Sequence, residues 1–168
     1  MRRLLTLGLT AAFLIGVPQA AQADNSPVVQ VTVGLDHSCA LRQSGSVLCW
    51  GSDAEGQIDV PADLDRVKQV SAGTKFTCAL TIAGMVRCWG ANYWGNLNVP
   101  SDLGVIVAIG TTFPDACAIA DTGALRCWGE DAGKLSGANS FTAAVQVDGW
   151  SHGICALAKS GIMSCWGP

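Results

Sequence analysis

The sequence predicts an all-β array of four three-stranded antiparallel sheets, each stapled by one disulfide, and three observations predict it. All eight cysteines fall into four pairs ten positions apart: Cys39/Cys49, Cys78/Cys88, Cys117/Cys127 and Cys155/Cys165. Each second cysteine is followed by Trp-Gly, at Trp50-Gly51, Trp89-Gly90, Trp128-Gly129 and Trp166-Gly167. The first cysteines recur after 39, 39 and 38 residues, a period that marks solenoids, propellers and stacked arrays.

Before the first repeat the chain reads as an export signal. Arg2 and Arg3 precede an apolar run from Leu4 to Val17, and Ala21-Gln22-Ala23 has the small-x-small pattern of a cleavage site. The run is too short for a membrane-spanning helix. Residues 1–23 are therefore expected to be removed, leaving a four-repeat domain at 24–168, with repeats at about 28–66, 67–104, 105–143 and 144–168. Export to a secreted or periplasmic location places the cysteines where disulfides persist.

Each repeat opens with a β-rich run ending in glycine: Val28 to Gly34, Val67 to Gly73, Val105 to Gly110 and Val145 to Gly149. Two further strands carry the cysteines. Six residues after each first cysteine stands Gly45, Gly84, Gly123 or Gly161, where a three-residue hairpin loop needs a left-handed residue. A turn centred on Ser44 pairs Leu41 with Val47, Ala40 with Leu48 and Cys39 with Cys49. The cysteines then face each other at a non-hydrogen-bonded pair, with Cα atoms about 4.5 Å apart. That separation suits a disulfide within each hairpin. Zinc is the rival reading of paired cysteines, but it favours closely spaced Cys-x2-Cys knuckles, which the chain lacks.

Alternation along the strands puts Cys39, Leu41, Val47 and Cys49 on one face and Ala40, Leu48 and Trp50 on the other. A small sheet apolar on both faces cannot stand alone. Neighbouring repeats must therefore stack face to face, the tryptophan of one covering its neighbour. Arg87 and Arg126 stand where Leu48 does and are expected to snorkel past the neighbour. In the connectors, Asp53, Asn92 and Asp131 occupy a turn position where such side chains cap their own backbone.

Composition narrows the function. Without Arg2 and Arg3 the chain has eight Lys and Arg against thirteen Asp and Glu, an acidic balance unsuited to nucleic acid. It has no basic amphipathic helix for a membrane surface.

The stretch Gly34-x-x-His37-x-Cys39-Ala40-Leu41, with Gly45, Cys49-Trp50-Gly51 and Gly56-Gln57-Ile58, resembles the regulator of chromosome condensation repeat, in the cysteine-paired form of exported bacterial proteins. The resemblance implies a β-propeller with one repeat per blade, usually seven blades. Blades of three strands also resemble the secreted β-lactamase-inhibiting propellers of the same superfamily. This chain has four repeats, so three arrangements are open: an open arc, closure on itself, or closure by self-association. An open arc exposes the apolar faces of its first and last blades.

Catalytic chemistry is sought first at the histidines. His37 and His152, like Phe76 and Phe113, lie three residues beyond a strand-ending glycine, which argues for packing or turn roles. Pairing uses every cysteine, and no nucleophile elbow, phosphate-cradling loop or calcium loop is present. No catalytic residue, metal or cofactor is expected. Tyr93, Trp94 and Trp150 are off the repeat pattern, replacing small or polar residues such as Ala54, Glu55 and Thr74. Loop aromatics of this kind either anchor a partner or cap the core locally. Lys75 and Phe113 lie in equivalent loops and join the same candidate rim. The expected function is protein binding without catalysis, the alternatives being inhibition of an extracellular enzyme such as a β-lactamase, or a half-propeller that self-associates.

Overall fold

The computed structural model describes residues 24–130, 135 and 137–167. The expected export signal, Asp131, Gly133 and Lys134 lie outside the described residues. Among the described residues twelve strands form four separate antiparallel sheets. Blade 1 holds β1 (Val28–Val33), β2 (His37–Arg42) and β3 (Val47–Gly51). Blade 2 holds β4 (Val67–Ala72), β5 (Phe76–Thr81) and β6 (Val86–Gly90). Blade 3 holds β7 (Ile106–Thr111), β8 (Ala116–Ala120) and β9 (Leu125–Trp128), followed by a 3-10 turn at Ala138–Ser140. Blade 4 holds β10 (Ala144–Trp150), β11 (Gly153–Ala158) and β12 (Met163–Trp166).

The hairpin register is the predicted one. Gly45 has φ 91°, its N–H donates to Arg42 O at 2.9 Å, and Arg42 N–H donates to Ser46 O at 2.9 Å. Leu41 then faces Val47, Ala40 faces Leu48 and Cys39 faces Cys49. All four expected disulfides, Cys39–Cys49, Cys78–Cys88, Cys117–Cys127 and Cys155–Cys165, are formed, with Cα atoms 4.0–4.1 Å apart. The covalent link holds this non-hydrogen-bonded pair slightly closer than the about 4.5 Å of an unlinked one. Cys127 has a second tether that the cysteine spacing does not announce. Its N–H, on the outer strand of blade 3, donates to Asn139 Oδ1 of the 3-10 turn at 2.9 Å.

Each inner strand carries a bulge that the sequence pattern does not announce either, at Val28/Gln30, Val67/Gln69, Ile106/Ala108 and Ala144/Gln146. The extra residue lets Gln30 and Gln69 sit opposite Leu41 and Leu80 and reach the next blade. The Gln30 amide donates to Val70 O at 2.9 Å and accepts from Val70 N–H at 3.0 Å. Gln69 makes the same pair of bonds with Ile109, at 2.8 and 2.9 Å. Blade 3 has Ala108 there, and at Gly110 the strands approach directly: a Cβ on that glycine would lie 2.9 Å from Val147 O.

Blades stack with the disulfide face of one against the tryptophan face of the next. Cys39 and Leu41 pack with Val67, Val70, Ala79 and Trp89. Phe76, Cys78 and Leu80 pack with Ile109, Ala118 and Trp128. Cys117, Ile119, Leu125 and Cys127 pack with Val147, Ile154 and Ala156, with Trp166 against them. Burying one large apolar side chain contributes about 1.5–3 kcal/mol, so these junctions are the main stabilising contacts. The connector secures each tryptophan: Trp89 Nε1 donates to Gln57 O at 3.1 Å, and Trp128 Nε1 to Asn96 O at 2.9 Å. Arg87 and Arg126 reach past the neighbour to Asp63 and Asp102 at 3.4 and 3.5 Å. These exposed pairs contribute about 0.2–1 kcal/mol.

The stack is an open arc. At one end Val31, Leu48 and Trp50 of blade 1 are exposed, and at the other Met163 of blade 4 is exposed.

Candidate functional site

The topology separates the two ends of every blade. Hairpin turns with Gly45, Gly84, Gly123 and Gly161 lie at one end. The loops after β1, β4, β7 and β10 gather at the other, beside the starts of the connectors after β3 and β6. Asp53 and Asn92 shape those connectors as expected, accepting from Ile58 N–H at 3.3 Å and Leu97 N–H at 2.9 Å.

At this second end a cavity of about 390 Å³ opens between the inner strand ends of all four blades. Val33, Leu35, Thr74, Phe113 and Trp150 contribute to its wall. Beside it runs a row of aromatic rings. Tyr93 meets Trp94 edge-on at 5.5 Å, Trp94 meets Phe113 at 4.8 Å, and Phe113 meets His152 at 5.1 Å. This edge-to-face geometry is the one aromatic quadrupoles favour. Lys75 lies 3.7 Å from Glu55. A hydrogen bond to the Glu55 carboxylate, with smaller contributions from desolvation and its charge, raises the Tyr93 hydroxyl above the usual tyrosine value.

The structure thus brings Tyr93, Trp94, Phe113 and Lys75 to one rim, with Trp150 across the cavity wall from Phe113. Trp150 is half-exposed, and one edge of its indole covers Gly153, whose Cβ would meet the ring at 2.2 Å. Glu55 and His152 are rim residues that the sequence reading did not select. The row of tryptophan-capping connectors also escaped it, because Gln57 and Asn96 act through backbone carbonyls.

Of the two histidines, only His37 takes the expected packing role. Counted back from the first cysteine, the residues equivalent to His37 are Phe76, Asp115 and Gly153, because Gly110 and Gly149 lie within β7 and β10 whereas Gly34 and Gly73 lie just past β1 and β4. Phe113 and His152 precede that position and stand on the rim, which corrects the grouping of all four residues together. His37 is buried, and its ring lies over Gly34 just as Phe76 lies over Gly73. Thr77 Oγ1 donates to Gln57 O at 2.9 Å, so His37 Nε2–H is the donor in its 2.9 Å bond to that hydroxyl.

Burial lowers the His37 pKa from 6.5, opposed in part by the charge of Asp36. The unfolded histidine therefore takes up its proton at higher pH than the folded one. The stability this group contributes is complete above pH 6.5 and is lost as pH falls below it. His37→Phe is expected to flatten that part of the profile, as seen by comparing urea midpoints of the two proteins between neutral and mildly acidic pH. Parallel profiles would contradict the assignment.

Among the described residues no group of His, Cys, Asp and Glu could hold a metal ion, and no helix is long and apolar enough to cross a membrane. Disulfide-stapled blades stacked around a central cavity define the chain as a propeller-type repeat protein. Its first two repeats, residues 28–57 and 67–95, match the model of the regulator of chromosome condensation (RCC1) repeat. Similar solved structures include human WBSCR16, 21% identical over 89% of this chain and 50% of that one, with a TM-score of 0.75. Prp20p of Saccharomyces cerevisiae, described with its binding properties to Gsp1p and histones, is 20% identical over 90% and 47%, with a TM-score of 0.70. The ectodomain of the Physcomitrella patens receptor kinase CR4 is 22% identical over 85% and 39%, also with a TM-score of 0.70. The chain spans half or less of each of these three. No curated protein matches it.

Proposed function

We propose that the chain is an exported, non-catalytic protein-binding module that seats its partner on the aromatic rim. The row of Tyr93, Trp94, Phe113 and His152 beside the cavity carries this reading. Rigid aromatic rings are the side chains that most often anchor an interface. Here they project from loops whose flanking strands are held by disulfides, which limits the ordering cost of binding. The commitment of His37 to packing supports a role without catalysis, and the acidic balance supports a protein partner over nucleic acid. Prp20p has been solved bound to Kap60, so a protein with blades of this kind does take a protein partner.

The test is affinity capture from the compartment into which the protein is exported, followed by calorimetry with the captured partner. Trp94→Ala combined with Trp150→Ala is expected to weaken binding by at least about tenfold, since each anchor of this type is worth more than about 1 kcal/mol. The unfolding midpoint should change far less than the affinity. Unchanged affinity would move the site off this rim. The narrower version, inhibition of a secreted enzyme such as a β-lactamase, predicts loss of that enzyme's turnover at stoichiometric protein.

A further inference from the structure

The three junctions between blades are built from one repeated set of residues, and the two ends of the arc carry the unused halves of that set. On the blade 4 end face, Cys155, Leu157, Met163 and Cys165 hold the positions of Cys39, Leu41, Val47 and Cys49. Leu41 is buried and Val47 half-buried beneath blade 2, whereas Leu157 is half-buried and Met163 is 65% exposed. On the blade 1 end face, Val31 and Trp50 hold the positions of Val70 and Trp89. Val70 is 1% exposed and Trp89 7%, against 67% for Val31 and 48% for Trp50.

The polar contacts are split in the same way. Gln146 stands opposite Leu157 as Gln30 stands opposite Leu41, and it is exposed on the last blade. Its natural target is the backbone of the residue equivalent to Val70, which on the first blade is Val31. Val31 lies on β1, an edge strand of its sheet. Asp148 takes the place of Thr32, whose hydroxyl accepts from Ala72 N–H at 3.0 Å. The corresponding N–H on blade 1 is that of Val33.

One substitution points to a dry junction. Blades 2, 3 and 4 have Arg87, Arg126 and Ser164 at the position where blade 1 has Leu48. Both arginines meet a carboxylate of the preceding connector, whereas Leu48 offers only apolar surface.

We propose that two copies of the chain join head to tail, the disulfide face of each blade 4 seated on the tryptophan face of the other's blade 1, closing a ring of eight blades. Unlike faces meet at all three internal junctions, so the contact is heterologous. The chain matches about half the length of WBSCR16 and of Prp20p; closing eight blades requires each junction to turn slightly less than in the usual seven-bladed ring, within the four to eight blades that propellers adopt. Two arcs then complete the circle, and each open end is covered. This surface is distinct from the aromatic rim, and its test does not depend on the rim's partner.

Sedimentation and light scattering of the purified protein are expected to give twice the chain mass. Gln146→Ala should raise the dissociation constant about a hundredfold, because the variant loses the glutamine's pair of bonds at both junctions of the ring, about tenfold for each. Val31→Arg and Met163→Arg should each be monomeric, because each variant lacks one of the two faces; arginine at Leu48 would not serve, since blades 2 and 3 carry it there within intact junctions. Mixing these two variants should restore a two-chain species through the single pair of faces left intact, which also shows that both are folded. A wild-type mass of one chain at the highest attainable concentration overturns the proposal. So does a dimer that survives Val31→Arg, a mixture that stays monomeric, or a mass that keeps growing with concentration.

Discussion

Replacing Phe76 by alanine is expected to lower the free energy of unfolding by about 3–5 kcal/mol, seen as a fall in the urea midpoint with an unchanged slope. The side chain is 1% exposed and sits between its own Cys78 and Leu80 and the next blade's Ile109, Ala116 and Trp128. Its ring covers Gly73, where a Cβ would lie 2.2 Å from Phe76 Cε1. The surroundings have little room to collapse, because both flanking sheets are cross-linked. Histidine is no substitute, although blade 1 uses it. His37 finds a hydroxyl at Thr77 in blade 2, whereas Phe76 finds only the methyl of Ala116 in blade 3. Phe76→His should therefore destabilise, and adding Ala116→Thr should recover part of the loss as a favourable coupling. A cost below about 1 kcal/mol for Phe76→Ala would be inconsistent with this packing.

Converting Cys78 and Cys88 together to alanine is expected to cost about 2–4 kcal/mol. All four disulfides close loops of the same length, with a sequence separation of 10, so chain entropy treats them alike. Burial does not. Cys39, Cys78 and Cys117 are at most 1% exposed beneath the following blade, and Cys127 is 3% exposed. On the end face of blade 4, by contrast, Cys155 is half-buried and Cys165 exposed. Graded reduction of dilute protein should therefore open Cys155–Cys165 first and Cys117–Cys127 late, as read by alkylation and peptide mapping. Simultaneous opening of all four would mean that reduction follows global unfolding instead.

Much of this architecture could be read from the chain because it is local. Ten-residue cysteine spacing with one left-handed glycine sets a hairpin register, and a register sets a disulfide; neither needs a distant contact. Four repetitions of that unit give the blades, and two-sided apolar strands require them to stack. The rim was only half legible. Tyr93, Trp94 and Trp150 stood out as departures from the repeat, yet counting forward from the strand-ending glycines placed Phe113 and His152 with the buried His37. Glycines at unequal strand positions break that count, whereas the cysteine pair restores it, because sheet pairing is what the neighbour packs against. The aromatic row joins residues from the blade 2–3 connector, blade 3 and blade 4, and the bulges that aim Gln30 and Gln69 have no composition of their own. Ring closure is the least local property: the angle between blades is the sum of side-chain packing at every junction, so the open arc emerges only when the blades are assembled.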